Sequence, residues 1–208
     1  MTRLPGPIRQ YLAALRALLV LTVLLGILYP LVVLAIGQLV FPAQANGSLL
    51  TADGRVVGSS LLGQAFLDAH GNPAPQWFQP RPSAAADPSD KNDPGYNPLF
   101  SGGSNLGPTN PDLIKSSQAR RQAVAAFDGV PAASVPPDAV TASASGLDPD
   151  ISPAYADEQV TRVAKARGLD PATVRALVAA HVQGRTLGIL GEPRVNVVEL
   201  NAALTQLR

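Results

Sequence analysis

Residues Ala17–Phe41 read ALLVLTVLLGILYPLVVLAIGQLVF, a run of 25 residues without a charged side chain. As a helix rising about 1.5 Å per residue, this run covers roughly 37 Å and crosses a hydrocarbon layer of about 30 Å with some tilt. A cleaved signal peptide is the alternative, because Ala43-Gln44-Ala45 has the small residues of a cleavage site. The apolar part of a signal peptide is shorter, about 7 to 15 residues. We therefore predict one transmembrane helix over residues 17–41.

The charges on either side of the apolar run predict its orientation. Three arginines and no acidic residue precede it: Arg3, Arg9 and Arg16. The first acidic residue of the chain is Asp53. Because Lys and Arg beside a span tend to stay in the cytoplasm, we predict a cytoplasmic segment over residues 1–16 and an extracytoplasmic domain over residues 46–208.

The overall composition excludes several classes of protein. The 208-residue chain has 15% charged residues and a formal net charge of +1, whereas soluble domains carry about 25% charge. Beyond Arg16, 13 basic residues stand against 15 acidic ones, a net charge of −2, which gives no reason to expect nucleic acid as a partner. The chain has no cysteine and therefore no disulfide. A purely soluble protein, a multi-span channel and a strongly basic nucleic-acid binder are excluded.

Small residues form a stripe along the predicted span. At about 100° per residue, four of them fall within roughly 80° of one another: Thr22, Gly26, Pro30 and Gly37. Small side chains let helices approach closely inside lipid, so we predict that this small-residue stripe docks against a helix of a partner. Pro30 cannot donate a hydrogen bond to Gly26 and is expected to kink the helix there. The alternative is that Gly and Pro are simply common in membrane helices.

The first part of the outer domain combines a hairpin with a long loop. Asp-Gly at 53–54, between two apolar runs, predicts a β-hairpin over Asn46–Ser59 with its turn at residues 52–54. Leu61–Phe66 is a candidate for a further short element. Nine prolines between Asp68 and Leu113 exclude a long helix or a central strand. This Pro/Gly-rich stretch, at about 68–110, is therefore either an ordered or a partly disordered loop.

The second part of the domain is predicted to be mainly helical. A capping side chain followed by proline opens three helices, which we place at Asn110–Phe127, Ser152–Arg167 and Asp170–Val182. The last two are expected to form an antiparallel pair on a sheet, ending at Gly168 and Gly184. Arg194–Val198 is predicted to be a strand, Glu199–Leu207 a closing helix, and Ala139–Ser143 an ambiguous strand. The predicted fold class is α+β, in one domain after a single transmembrane helix.

The polar residues offer no convincing active site. The two histidines, His70 and His181, are far apart in sequence, and without cysteine the usual zinc sites are improbable. Asp148 and Asp150 flank a proline, as in a turn. The glycines of Ser101–Asn105 resemble a phosphate-binding loop, but the Lys-Ser/Thr pair of such loops is missing. We predict no catalytic residue and no metal ligand, and cofactor-binding residues stay unknown.

Five segments, in order along the chain, carry recognisable motifs: Asn46–Leu49, Phe78–Ala84, Ser101–Pro111, Val140–Pro153 and Leu190–Val197. Together they resemble the KdpC family, the small C subunit of the bacterial high-affinity potassium-transporting P-type ATPase. The chain departs from the family pattern at Ala144, where glycine is usual, and at Asp150, where histidine is frequent.

The resemblance implies a place in a larger assembly of the bacterial inner membrane. The implied partners are a potassium-binding pore subunit, a P-type ATP-hydrolysing subunit and a very small single-span subunit. The resemblance also implies a non-catalytic accessory role and ATP binding, since the family is proposed to raise the ATP affinity of the hydrolysing subunit. ATP is cytoplasmic, whereas the domain is predicted to lie outside. We therefore expect this chain to assemble or stabilise the complex and to hold no firmly bound cofactor.

The glycine- and asparagine-rich run is our candidate partner-contact loop, with these residues: Ser101, Gly102, Gly103, Ser104, Asn105 and Asn110. The alternative is that this run only shapes the domain. For the whole chain, the alternatives are a membrane-anchored extracytoplasmic enzyme and a secreted domain released after Ala45.

The predicted orientation is testable with a reporter fusion. Alkaline phosphatase needs disulfides, which form outside the cytoplasm, so its fusion after Arg208 is expected to be active. A fusion after Arg16, before the span, is the control and is expected to be inactive. Activity of a strictly cytoplasmic reporter fused after Arg208 would contradict the orientation.

Overall fold

The apolar run belongs to a long, slightly irregular helix. The computed structural model describes residues 5–52 and 54–207, so Arg3 and the turn residue Asp53 lie outside the described residues. The described part divides after Ser48 into two compact units. In the first, α1 (Gly6–Val23), a π-helical turn (Leu24–Leu28) and α2 (Tyr29–Val40) follow one another. Together they form one 35-residue helix that is long and apolar enough to cross a membrane. None of the residues in its most apolar stretch is buried.

The π-helical turn lies directly before Pro30. The Tyr29 amide donates to the Leu24 carbonyl five residues earlier, so the backbone is wider at this turn than in an α-helix. Because proline has no N–H and its ring crowds the preceding turn, a local widening accommodates it. The irregularity therefore surrounds Gly26, where the sequence predicts a disturbance of the helix.

The first unit ends in a short turn that closes on the long helix. After α3 (Pro42–Ala45), the Asn46 side-chain nitrogen donates to Gln38 Oε1 at 3.0 Å, and the Gln38 side-chain nitrogen donates to Asn46 Oδ1 at 3.3 Å. The same Asn46 nitrogen also donates to the Pro42 carbonyl at 2.7 Å. Since unpaired polar groups are costly in lipid, this mutual pairing satisfies the amide of Gln38 at the end of the apolar run.

The second unit contains the sheet and the remaining helices, so the α+β prediction is confirmed. Its elements are β1 (Leu49–Ala52), β2 (Arg55–Ser59), α4 (Pro111–Asp128), β3 (Asp150–Ile151), α5 (Pro153–Arg167), α6 (Pro171–Ala180), β4 (Val182–Gln183), β5 (Arg194–Asn196) and α7 (Val197–Leu204). The first two strands form the predicted antiparallel hairpin. The others form a three-stranded antiparallel sheet in the order β3-β5-β4.

Capping explains why the helices start where they do. Asn110, Ser152 and Asp170 each accept a backbone hydrogen bond at the N-terminus of the helix that follows, as predicted. Asn196 does the same for α7, accepting from Val198 and Glu199. The helix therefore begins at Val197 rather than at the predicted Glu199, and the preceding strand ends at Asn196 rather than at Val198.

Three other local predictions are wrong. The helix predicted to reach Val182 and to end at Gly184 stops at Ala180, because Val182 pairs with Val195 in the sheet. Ala139–Ser143 is not a strand but follows a short 3₁₀ turn at Pro137–Ala139. The strand at Asp150–Ile151 lies where only a turn is predicted. Short strands of this kind have no pattern of their own and depend on a partner strand.

The core of the second unit is formed mainly by α5, α7 and the sheet. Its fully buried residues include Phe78, Ile151, Val160, Val163, Val174, Val195, Leu200 and Leu204. Phe78 comes from the proline-rich loop, and its burial shows that this stretch is an ordered loop rather than a disordered one. Within the described residues, the loop has one short 3₁₀ turn, at Pro98–Phe100, and no long helix or strand, as predicted.

Two buried side-chain amides attach the loop to the helices. Asn201 on α7 accepts from the Phe78 amide at 3.0 Å and donates to the Phe78 carbonyl at 2.9 Å. Gln159 on α5 accepts from the Gln79 amide at 2.6 Å and donates to the Gln79 carbonyl at 3.1 Å. Each amide thus replaces the neighbouring strand that an extended segment would otherwise need. The path of the loop is set by these contacts.

Candidate functional site

Three loop segments that are distant in sequence meet at one hydroxyl group. Ser83 Oγ donates to the Gly146 carbonyl at 2.7 Å and accepts from the amides of Tyr96 at 2.8 Å and Ala85 at 3.1 Å. The Tyr96 hydroxyl in turn donates to the Arg81 carbonyl at 2.8 Å. Two of the segments that carry the family motifs, Phe78–Ala84 and Val140–Pro153, are thereby joined with the loop at Tyr96 into one ordered surface.

Gly146 is required by this close approach. Its φ is +67°, and a Cβ at this position would lie 2.6 Å from the Ala85 nitrogen and 2.8 Å from the Gly102 carbonyl oxygen. Both contacts are far below van der Waals distance, and both partners are backbone atoms that cannot rotate away. Only glycine combines this backbone conformation with the space available.

The candidate partner-contact loop has two parts with different surroundings. Its first residues are attached to the domain: Ser101 Oγ and the Gly102 amide donate to the Ser145 carbonyl at 3.0 and 2.8 Å. A Cβ on Gly103 would lie 3.1 Å from the Ala144 carbonyl oxygen. The residues from Ser104 to Thr109 are exposed. The attached part shapes the domain, and the role of the exposed part in partner contact stays a prediction.

Two further residues of this loop have defined local roles. Asn105 adopts a left-handed conformation with φ of 53°, which asparagine tolerates better than most residues. Asn110 caps α4 by accepting from the Asp112 amide at 2.8 Å. Because the Gly102 amide is already used and no lysine lies within the run, Ser101–Asn105 does not offer the donor set of a phosphate cradle.

A charged cleft of about 420 Å³ lies beside this surface. Arg81 pairs with Asp148 at 2.9 Å and Arg194 pairs with Asp150 at 3.0 Å. Desolvation, with a smaller contribution from Asp148, raises the pKa of Asp150. Asp148 also accepts from the Asp150 amide at 3.0 Å, so the predicted turn chemistry is present and each carboxylate has an arginine partner as well.

A buried ion pair joins α4 to α5. The Arg162 Nε donates to Asp128, and the two side chains are 7% and 1% exposed. The same guanidinium donates to the carbonyls of Pro75 at 2.6 Å and Trp77 at 2.9 Å, and it lies 4.4 Å from the Phe127 ring centroid. Burial raises the pKa of Asp128 while the Arg162 hydrogen bond opposes the rise. The sequence analysis missed this pair: Arg162 lies inside a predicted helix, and Asp128 directly follows another that was predicted to end at Phe127.

The Glu158 carboxyl group is partly buried beside other acidic side chains. Its Oε1 is buried without a hydrogen-bond partner among the described residues. Desolvation, with the charges of Asp128 and Asp138, raises the pKa of Glu158 to about 7. The neighbouring carboxylates are themselves engaged, Asp128 by Arg162 and Asp138 by the amide and hydroxyl of Ser152.

The histidines take structural positions. His181 Nδ1 lies 2.9 Å from the Leu177 carbonyl at the end of α6, and the His70 amide donates to Asp68 in a turn at 2.8 Å. Across residues 5–52 and 54–207, no group of three or more metal-ligating side chains occurs.

An apolar tip, missed by the sequence analysis, lies between β4 and β5. It consists of Leu187, Ile189 and Leu190, which are 86%, 76% and 56% exposed. Leu187 has a φ of +55°, which is rare for a bulky residue. Thr186 and Leu190 exchange backbone hydrogen bonds of 2.9 and 3.0 Å. The sequence has five consecutive aliphatic or glycine residues, 187–191, between Arg185 and Glu192, but this pattern does not indicate that the side chains are exposed.

An ion pair closes the base of the tip. Arg185 Nη2 lies 2.6 Å from Glu192 Oε2, so the two charges beside the apolar side chains neutralise each other. The tip therefore presents uncharged, apolar side chains on a braced turn.

The small-residue stripe lies on the long helix of the first unit. A Cβ on Gly26 would lie 3.9 Å from Thr22 Cγ2, so these two residues are neighbours on the helix surface. The π-helical turn falls between Thr22 and Pro30, so the regular 100° step does not hold along the whole stripe. A Cβ on Gly37 would lie 3.6 Å from the Ala45 Cβ, which means that Gly37 approaches its own chain. Docking through the stripe stays a prediction.

These features define a class of protein: a small α+β domain that follows one helix of membrane-spanning length, with loops joined into an ordered surface. Comparison with known proteins identifies the family within this class. Residues 11–206 match the KdpC family, described as K+-transporting ATPase, c chain. The chain belongs to the KdpC family, and the resemblance noted in the sequence is confirmed.

Individual relatives agree with the family match. The chain is 55% identical over 197 residues to a "Potassium-transporting ATPase KdpC subunit" of Kineococcus radiotolerans, covering 95% of this chain and 93% of the relative. A protein of the same name from Sorangium cellulosum is 55% identical over 195 residues, covering 94% and 96%. One from Streptomyces coelicolor is 48% identical over 217 residues, covering 99% and 96%.

The environment of Glu158 predicts a pH-dependent stability. Between its unfolded pKa of 4.5 and its folded pKa of about 7, the folded chain holds a proton that the unfolded chain releases. The free energy of unfolding contributed by this group therefore falls as the pH rises through that window. In Glu158→Gln, melting temperatures measured by circular dichroism at pH 5 and pH 8 are expected to differ less than in the parent chain.

The control for this prediction is Asp157→Asn, which removes an exposed carboxylate from the same helix. It is expected to leave the pH dependence of the parent chain in place. An identical pH dependence in Glu158→Gln and the parent would contradict the prediction.

Proposed function

We propose that this chain is a non-catalytic accessory subunit that assembles or stabilises an ATP-driven potassium uptake pump. Membership in the KdpC family supports a place in such a complex. The proposed partners are a potassium-binding pore subunit, a P-type ATP-hydrolysing subunit and a small single-span subunit. We place the chain in the bacterial inner membrane with its N-terminus in the cytoplasm, because the arginines that precede the apolar run favour that orientation.

The apolar tip is the single observation that carries the assembly role. Three bulky aliphatic side chains stand 56% to 86% exposed on one turn, which is unfavourable for a surface that meets only water. The backbone hydrogen bonds of the tip and the Arg185–Glu192 pair hold it in place. A braced turn loses little conformational freedom on binding. These properties suit a surface that contacts another protein.

The chemistry of the tip indicates what it contacts. Because Arg185 and Glu192 neutralise each other, the tip needs no counter-charge on its partner. It has neither an aromatic residue nor an unpaired cation, which are the usual anchors at a lipid surface. We therefore assign it to an uncharged, apolar recess on the extracytoplasmic side of the pore subunit.

The assembly role does not require ATP on this chain. In the proposed orientation the domain and cytoplasmic ATP are on opposite sides of the membrane. An effect on the ATP affinity of the hydrolysing subunit would then act through the pore subunit or the membrane helix.

Polar substitution of the tip tests its contact. In the double variant Leu187→Ser/Ile189→Ser, loss of two apolar side chains from the interface is expected to weaken binding roughly a hundredfold. The other subunits should then fail to co-purify from membranes. Leu99→Ser is the matched control, because Leu99 is 85% exposed elsewhere on the domain. Normal co-purification of the double variant would contradict the role of the tip.

Photo-crosslinking identifies the occupant in the intact complex. With p-benzoylphenylalanine in place of Leu187, a crosslink to the pore subunit is expected. Crosslinks exclusively to lipid, or to a second copy of this chain, would contradict the assignment.

The small-residue stripe gives a second, separate test. Gly26→Leu places a bulky side chain in a region where a glycine Cβ would meet only Thr22, so the helix itself should tolerate it. Close approach of a partner helix would be blocked, and co-purification with the pore subunit is expected to fall. Leu25→Ile, on the same turn, is the control. Unchanged co-purification of Gly26→Leu would exclude docking through this face.

A further inference from the structure

A cavity in the second unit adjoins the surface around Ser83 and shares Arg81, Ser83 and Tyr96 with it. It has a volume of about 400 Å³ and lies between the proline-rich loop and one face of α4. Small-molecule sites in proteins typically occupy about 300 to 1,000 Å³. The cavity is therefore large enough for a ligand with one or two rings.

The walls of this α4 cavity are largely apolar. They include the rings of four prolines and two aromatic side chains: Pro73, Pro80, Pro82, Pro94, Tyr96 and Phe127. Proline rings and aromatic faces form flat, rigid surfaces that accept another flat apolar group. The walls are also fixed in place, since the loop that carries the prolines is bonded through Gln79 and Tyr96.

Two polar groups in the wall have hydrogen-bond donors that are available to a ligand. Tyr155 is 3% exposed, and its hydroxyl has no hydrogen-bond partner within the described part of the chain. Burial raises the pKa of Tyr155, so the hydroxyl keeps its proton and is a donor. Since Tyr155 lines the cavity, its hydroxyl can donate a hydrogen bond to a ligand bound there.

Arg120 is the second such group. It lines the cavity and makes one hydrogen bond, from Nη1 to the Val140 carbonyl at 3.3 Å. No carboxylate lies within ion-pair distance of it in the described residues. Arg81, by contrast, is paired with Asp148. Arg120 therefore supplies an unneutralised positive charge at the wall.

The remaining polar groups of the cavity are already used. The Gln79 side chain donates to the carbonyls of Phe66 and Ala74, both at 3.0 Å. Three acidic groups act on Tyr155. Asp128 is engaged by Arg162 and Asp138 by Ser152, and burial raises the pKa of the third, Glu158, to about 7. The cavity wall thus offers an unneutralised guanidinium, that of Arg120, and the hydroxyl of Tyr155.

We propose that the α4 cavity binds a small carboxylate with a flat apolar body. The ring lies among the prolines and Phe127, the carboxylate accepts from Arg120, and Tyr155 donates to an oxygen of the ligand. This site is independent of the proposed assembly role, since it shares no residue with the apolar tip or the small-residue stripe.

The probe for this site is 6-fluoro-2-naphthoate, which combines a flat two-ring body with one carboxylate. Its binding to the full chain in lipid nanodiscs is followed by fluorine NMR, with protein-free nanodiscs as the blank. Saturable binding above the blank is expected. The uncharged amide of the same ring should bind more weakly, and acetate, which lacks the ring, should not bind detectably. Absence of saturable naphthoate binding would overturn the proposal.

Three variants locate the binding. Arg120→Gln should weaken naphthoate binding roughly tenfold or more while leaving the amide unaffected, because it removes only the charged donor. Tyr155→Phe keeps the ring and should produce a smaller loss. Ala123→Phe, on the α4 wall, should abolish binding of both compounds by filling the cavity.

The controls separate this site from adventitious binding. Arg175→Gln removes an exposed arginine of α6 and should bind the probe like the parent chain. Melting temperatures show whether each variant is folded. Arg120→Gln and Tyr155→Phe, made separately, are two independent tests of the site. Naphthoate binding that is unchanged in Arg120→Gln and Ala123→Phe would overturn the proposal. So would exclusion of the probe by the assembled complex, because a partner segment would then occupy the cavity.

Discussion

The extended segment around Phe78 and Gln79 must have its backbone hydrogen bonds satisfied inside the domain, and two helical side chains do this. Asn201 and Gln159 each bond both the amide and the carbonyl of one residue. A buried backbone group without a partner costs about as much as a lost hydrogen bond. Arg162 continues the arrangement, since it donates to two carbonyls of the same segment and to Gln159. A long proline-rich stretch, which cannot build a sheet of its own, is ordered in this way.

The surface around Ser83 and the α4 cavity depend on that attachment. Once Phe78 is buried, the loop that follows it lies where Ser83 contacts Gly146 and where Tyr96 reaches the Arg81 carbonyl. The α4 cavity exists because the same loop lies along α4 without filling the space between them. The apolar tip has a separate brace, the Arg185–Glu192 ion pair.

Local chemistry was predictable wherever it depends on neighbours in sequence. The three helices that begin after Asn110, Ser152 and Asp170 start as expected, because a cap and a following proline act within one turn. The strands at Asp150–Ile151 and Val182–Gln183 were not predictable, since two residues have no periodicity and both strands depend on pairing with β5. Of the candidate site, the loop was predicted but the apolar tip, the Asp128–Arg162 pair and the α4 cavity were not. Each of these is formed by residues that are brought together only by folding.

Several features can be recognised from the sequence alone: the 25-residue apolar run, the three arginines before it, the helix caps and the family motifs. They depend on length, charge order and near neighbours, and they were sufficient for the fold class and the family. Burial is different, because it is a property of packing in three dimensions. Packing alone decides that Phe78 lies in the core while Leu187 is exposed, although both are large apolar residues in loops. It also decides that the Tyr155 hydroxyl, which has no hydrogen-bond partner among the described residues, lies at a cavity wall.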